Sequence, residues 1–529
     1  MVEIQDKTKK AINTSIGELL KKYKLSGGIG KETGIYVHFI MHAYEFLKKN
    51  GRLGMIVSSS WLQSNYGVNF VNFLLDYFKV KAVIDFNQRL FRIPLVATCV
   101  LLLEKEGNAK ERNKNKALFL YVDAEASVEE ILDALENPEG WKEKFQINTV
   151  KQCDIPRKDK IIKTMFGADY IENRIKSSPF VTDLAVFLEP RYGNIKGVFA
   201  RGGTGGDKFF YLAKQSAEHR GLIPEHVYPV LVSSRYSKTF RFSDEDWKEL
   251  KNSNKPCYVF MSHKPRHELP TNVREYIEWG EKTPILRVRK GATPKTPKES
   301  IASLMRKRSK DFFGWYDLGG VMNTPAFATY RSQYRHRFCL TTFPLAIDKD
   351  LIALLPKSKL TSGSLKALLV FLNCSISQFF IEIYGRSTGG GMIELDVKAA
   401  AKLPSLDVGK LTLEQVHALS TLYERLESKA REVGGVNTQE NLEKINPIIN
   451  DIDTQISSII GLEQTYLDGI RRVAKILYER RVSRAEKPIP ESIKGEEEPK
   501  ITPPKKRKKR KEEELHKPLT RWMEFRNKG

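Results

Sequence analysis

Cysteine is scarce in this chain. Five are spread over 529 residues (Cys99, Cys153, Cys257, Cys339, Cys374), and no two form a Cys-x-x-Cys pair. That excludes a disulfide framework and a zinc ribbon, which need paired or closely spaced thiols. Cys99 and Cys374 sit among apolar neighbours and are expected to be buried core thiols. Long hydrophobic runs are also missing. The longest apolar stretches, such as Leu95 to Leu103 and Ala367 to Leu372, are well short of the ~20 apolar residues a membrane helix needs. Lys7, Lys9 and Lys10 precede no apolar run, so no secretory leader, no membrane association and a cytoplasmic location are expected. Tandem repeats are absent. Acid is in short supply: 64 Asp+Glu stand against 88 Lys+Arg, a net charge of +24. Such an excess favours a polyanionic partner, and nucleic acid is the expectation.

Hydrophobic residues make up 41% and aromatics 10%, enough for packed cores. After a polar, glycine-bearing stretch over 1–33, Tyr36, Phe39, Ile40, Ala43, Phe46 and Leu47 follow helical spacing. Asn50-Gly51 closes that helix, with Gly51 expected in the left-handed cap position. Leu53 to Val57 reads as a buried strand, Asn65 to Tyr77 as a helix, and Val80 to Phe86 and Thr98 to Leu103 as two more strands. Continuous apolar strands alternating with helices indicate an α/β sheet covered on both faces. Three strands are only part of a doubly wound sheet, by analogy with the Rossmann arrangement. Residues 151–405 mix short strands, glycine, proline and aromatic residues with arginine, which reads as an α+β domain. From Leu411 three apolar stripes follow, around Leu419–Leu426, Ile445–Ile460 and Leu467–Leu477. They predict a helical segment over 406–484. Residues 485–529 contain the basic run Lys505 to Lys511 and are expected to be a disordered tail.

Three segments carry a resemblance. Gly34-Ile35-Tyr36 opens a helix that leads through Lys48-Lys49-Asn50-Gly51 to the strand Leu53 to Val57. Val83-Ile84-Asp85-Phe86 follows, and then Leu90-Phe91-Arg92-Ile93-Pro94 runs into Thr98 to Leu103. Their order resembles the later motifs of the N6-adenine DNA methyltransferases of the TaqI-like and type IIG group. Gly202 to Phe210, Trp315-Tyr316, Leu372 to Ser375, Gly385 to Leu395 and Leu403-Pro404 are similar to that group's C-terminal specificity domain. The resemblance implies a fold: residues 34–150 would be the back part of a Rossmann-like methyltransferase sheet, and 151–405 the target-recognition domain. It also implies a reaction, transfer of methyl from S-adenosylmethionine to the exocyclic amine of a flipped adenine within a restriction-modification system. The group holds its cofactor on a glycine-rich strand-turn and the adenine amine on an Asn-Pro-Pro-Tyr motif.

Neither motif occurs here. The one Pro-Pro pair, Pro503-Pro504, lies in the basic tail, and no apolar strand precedes Ser26-Gly27-Gly28-Ile29-Gly30. The expectation is a split enzyme whose chain starts just after Asn-Pro-Pro-Tyr, with a second subunit holding most of the cofactor. The alternative is a non-catalytic DNA-binding specificity subunit or a methyltransferase remnant. By the resemblance, Phe91 stacks on the flipped base; a Phe packed beneath its loop is the competing reading. Ile35 and Tyr36 stand where the group approaches the cofactor, but Gly34 replaces the usual polar first residue. For double-stranded DNA the candidates are Arg201 and Lys208 on a glycine-rich loop, Arg331, Arg335 and Arg337 among aromatics, Arg386, and the tail residues Lys505, Lys506 and Arg507. A surface turn or a solvated basic face would produce the same patterns. No metal site is expected.

Overall fold

The computed structural model describes residues 17–23, 33–88, 90–91, 97–122, 125–197, 207–283, 312–388 and 391–486, with backbone only at 207–208 and 484–486. Helix α1 (Ile35–Phe46) turns Val37, Ile40 and Met41 inward. Ile35, Phe39 and Phe46 lie on its opposite, solvent-exposed face. The chain then reverses through Asn50, which takes φ 60°. The left-handed residue is therefore Asn50 and not Gly51. Asparagine tolerates that region because its short polar side chain bonds locally.

Strand β1 (Arg52–Ser58), helix α2 (Asn65–Tyr77), strands β2 (Phe78–Phe86), β3 (Thr98–Lys105) and β4 (Lys116–Val122), helix α3 (Val128–Glu136) and strand β5 (Gln146–Lys151) follow. They form one five-stranded sheet in the order β1-β3-β2-β4-β5. β3 is antiparallel to both β1 and β2, so those two run the same way. β4 is parallel to β2, and β5 antiparallel to β4. A bulge between Val80 and Ala82 lets Val80 and Val83 face the same core, as an extra residue shifts the two-residue alternation. That core is filled by α1 and α2. The other face is only partly covered, by residues of α3 with Trp141 and Phe145, and Ile56 is left 55% exposed. The expectation of cover on both faces is thus corrected at the β1 side, and the sheet has two strands more than the sequence reading assigned.

Beyond residue 150 the architecture is α+β. A five-stranded sheet runs Arg241–Phe242, Phe338–Thr341, Ala326–Thr329, Leu351–Pro356, Leu188–Tyr192. A four-stranded sheet orders Ala346–Ile347, Val227–Leu231, Tyr258–Phe260 and Tyr211–Leu212. Against the five-stranded sheet packs a helix pair, α4 (Ser362–Leu372) and α5 (Ser375–Tyr384), bent by 61°. Asn373 fixes the bend. Its amide donates to the Phe338 and Leu369 carbonyls, each at 2.8 Å, and accepts from Phe338 N at 3.0 Å. No single described helix is long and apolar enough to cross a membrane. The three expected stripes become α6 (Leu413–Glu432), α7 (Gln439–Ile460) and α8 (Gln464–Glu486). All five cysteines are free thiols; four are buried and Cys153 is exposed.

Contacts cross the expected divisions at 150 and 405. Gln152 Nε2 donates to the Phe78 carbonyl at 2.8 Å, and α8 returns to the first sheet through Arg480 and Asp85.

Candidate functional site

In open α/β sheets, ligands gather at the carboxyl ends of the strands. β1 and β2 end on the same edge, at Ser58 and Phe86. The chain returning into β3 closes against it: Ser59 N donates to the Ala97 carbonyl at 2.9 Å. Four hydroxyls meet there. Tyr36 and Tyr66 are 2.8 Å apart, Ser60 lies 2.8 Å from Tyr66, and Ser58 donates to Ser60 at 3.0 Å. Burial, with Tyr66 alongside, raises the Tyr36 hydroxyl pKa, and the Ser60 hydrogen bond lowers it by less. Tyr36 therefore stays neutral. Two glycines make this packing possible. As Tyr36 stands, a Cβ at Gly34 would meet its ring at 2.2 Å; one at Gly67 would strike the Trp61 carbonyl oxygen at 1.8 Å. The loss of a polar residue at position 34 thus accompanies a tyrosine that occupies its space.

Ile35 and Tyr36 part company. Tyr36 joins the hydroxyl cluster, whereas Ile35 is on the outer face of α1, 53% exposed. Phe91 follows β2 in sequence and is 42% exposed. It belongs to none of the buried cores. Its ring is free to meet something from outside.

The arginines sort into two groups. Arg331 and Arg386, far apart in sequence, are brought together on a three-stranded sheet, where both pair with Glu394 of the central strand. Arg331 Nε lies 2.7 Å and Arg386 Nη2 2.5 Å from its carboxylate. Burial alone would raise the Glu394 pKa, but Arg386 and Arg331 outweigh it and hold the carboxyl below its ordinary range. Two guanidinium groups share this one carboxylate. With side chains 51% and 67% exposed, both can reach a phosphate.

Arg337 is different and leaves the candidate set. It is 5% exposed, and its guanidinium donates to the carbonyls of Ser234 at 3.1 Å and Ser237 at 2.7 Å and to Asn437 at 2.5 Å. Those bonds tie the turn after Val227–Leu231 to the segment just before α7, and no phosphate can displace them without opening the core. Arg335 is half-buried and donates to the Asn373 carbonyl, a second structural role. Arg201, Lys505, Lys506 and Arg507 lie outside the described residues, as does the Lys208 side chain. Among the described residues no group of His, Cys, Asp and Glu is arranged to hold a metal.

Sequence reasoning missed Ser60, Tyr66, Arg480 and Arg481. The two arginines had a signal: they stand where the apolar stripe Leu467, Ile470, Val473, Leu477 would continue inward, and a charge at a core position requires a buried partner.

Two models of one family match in chain order. The Eco57I restriction-modification methylase matches residues 3–91, which carry α1, β1, α2, β2 and Phe91. The C-terminal domain of the type II methyltransferase M.Eco57I matches residues 196–438, which include Arg331, Arg386 and Glu394. The chain belongs to the Eco57I-type restriction-modification methylases. Type II methyltransferase M.AccI of Acinetobacter calcoaceticus is 21% identical to this Eco57I-type chain over 433 residues, 81% of the chain and 72% of the relative. M.BstVI of Geobacillus stearothermophilus, also a type II methyltransferase, is 36% identical over 72 residues, 13% of each. Among solved structures, the type IIG restriction endonuclease BpuSI matches 92% of this chain at 13% identity with a TM-score of 0.38. The type IIL restriction-modification enzyme MmeI, solved with DNA, matches 88% at 10% identity with a TM-score of 0.49. The Eco57I-type chain spans about half the length of these two, 53% and 55% respectively.

Proposed function

We propose that this chain is the DNA-reading and base-facing part of a site-specific adenine-N6 DNA methyltransferase of a restriction-modification system. The methyl donor is S-adenosylmethionine. The cofactor loop and the Asn-Pro-Pro-Tyr motif come from polypeptide outside these 529 residues. In this reading Phe91 stacks on the flipped adenine, and Arg331 and Arg386 hold backbone phosphates of double-stranded DNA.

The observation that carries the reading is the first sheet. An antiparallel β3 lies between two co-directional strands, and β1 has no neighbour on its outer side among the described residues. Ile56 on that strand and Ile35, Phe39 and Phe46 on α1 are exposed apolar side chains. An open strand edge flanked by apolar surface is the kind of surface that further strands and helices cover.

The residues of this chain do not make a complete cofactor site. Tyr36, Ser58, Ser60 and Tyr66 bond chiefly to one another, and among the described residues no glycine-rich turn follows a strand at that edge. The cofactor supplies the electrophilic methyl group when bound. What this chain contributes is a platform for the base and a grip on the backbone. Titration calorimetry of the purified chain with S-adenosylmethionine is expected to give no measurable heat of binding, while duplex DNA binds. Micromolar binding of the cofactor by the chain alone would overturn this division of labour.

A further inference from the structure

The last turns of α8 bring two adjacent arginines into the protein interior, each 3% exposed. Neighbours on a helix point about 100° apart, so the pair reaches two different layers. Arg480 Nε donates to Asp85 at 2.6 Å, and Asp85, fully buried, is the penultimate residue of β2. Arg480 also reaches Gln63, which follows β1, at 3.4 Å. One turn on, the Ser483 hydroxyl donates to the Asn87 carbonyl at 2.7 Å. The base-facing ends of β1 and β2 are thus gripped by α8, four residues before Phe91.

Arg481 turns the other way. It pairs with Glu382 of α5 at 2.8 Å, both side chains 1% exposed. It also donates to the carbonyl of Gln333 at 2.5 Å and to that of Gly391. Gln333 follows the strand of Arg331, and Gly391 lies between Arg386 and Glu394. The loops that present the two phosphate-facing arginines are therefore pinned by one guanidinium. A bridge joins the two halves of this seam: Gln63 Nε2 lies 3.5 Å from the Glu382 carbonyl.

A buried ion pair is a costly way to hold a helix, since apolar residues of similar volume often serve stability as well or better. What such a pair supplies is direction. We propose that Arg480 and Arg481 are positioning residues that lock the base-facing end of β2 to the loops carrying Arg331 and Arg386, so that DNA held by those arginines steadies the backbone leading to Phe91. The inference rests on the proposed DNA-reading role but needs neither cofactor nor methyl transfer.

Hydrogen exchange tests it on the whole chain. Peptides covering Ile84 to Gln88 are followed with and without duplex DNA at low salt. Coupling between sites of this kind is commonly five- to 150-fold, so DNA is expected to slow exchange there by roughly tenfold. Ser483→Ala removes the hydroxyl bond to Asn87 together with one to the Glu479 carbonyl within α8, and is expected to weaken that protection while DNA affinity stays unchanged. Arg481→Lys keeps the charge but not the fork of donors, and should abolish the protection. A melting temperature beside each measurement separates loss of coupling from loss of fold. If DNA binds and the β2 end exchanges at the same rate with and without it, the inference is wrong. Unaltered protection in a folded Arg481→Lys chain would overturn it equally. If the wild-type chain binds no DNA, the functional reading itself has failed.

Discussion

Duplex DNA held by this chain at roughly 50 mM salt is expected to be largely released by 200 mM, with an affinity about 10³-fold lower. The charge of +24 and the paired, exposed Arg331 and Arg386 set this expectation. Each phosphate neutralised by a cation releases condensed counterions, so affinity falls as a power of salt concentration. A surface covering about six phosphates gives the stated drop. Arg386→Ala should flatten the slope by about one contact without altering sequence preference. Arg337→Ala should act differently. It removes bonds to Ser234, Ser237 and Asn437, so the melting temperature should fall while the salt slope of the folded chain stays put. An electrophoretic or anisotropy titration at several salt concentrations checks both. An affinity that barely changes with salt would rule out a phosphate-tracking surface.

The second large effect is expected from Phe91→Ala in the complete enzyme. Loss of one stacking face should reduce base flipping or single-turnover methylation by roughly five- to 150-fold, the equivalent of about 1–3 kcal/mol per stacked base. The ring is 42% exposed and outside every buried core. The melting temperature should accordingly be nearly unchanged. Truncating a buried Phe costs about 3–5 kcal/mol of stability, so the two roles separate clearly. A 2-aminopurine probe at the target base reports flipping beside the chemistry. A Phe91→Ala chain that melts much lower but flips and methylates normally in its folded fraction would refute the stacking role.

Much of the fold could be read from the chain. The three apolar strands, the helices between them and the C-terminal stripes lie within a few residues of their observed places, because each presents a clear period of side chains. β4 and β5 escaped. Ala117-Leu118-Phe119-Leu120-Tyr121-Val122 is a continuous apolar run that qualifies as a buried strand, but it adjoins a charged stretch that reads as loop. The site was less legible. Arg331, Arg335 and Arg337 look alike in sequence, yet one faces solvent and two bond to main-chain carbonyls. Composition does not say which way a side chain points in irregular backbone. Nor does it say that Arg331 and Arg386 would meet at Glu394, since the Arg331 strand is remote in sequence from the hairpin that carries Arg386 and Glu394.

The central claim is that this chain contributes recognition and base stacking to an adenine methyltransferase whose cofactor half lies on other polypeptide. The most direct test is to recover the tagged chain from its own cells with whatever remains bound, and to assay tritiated methyl transfer to DNA before and after a chaotropic wash that strips everything else. Refolded by dialysis, the stripped chain is tested for DNA binding as a control. The account predicts label recovered as N6-methyladenine from the unwashed complex, and none from the stripped chain although it still binds DNA. Methyl transfer by the stripped chain alone, or label recovered on cytosine, would contradict it.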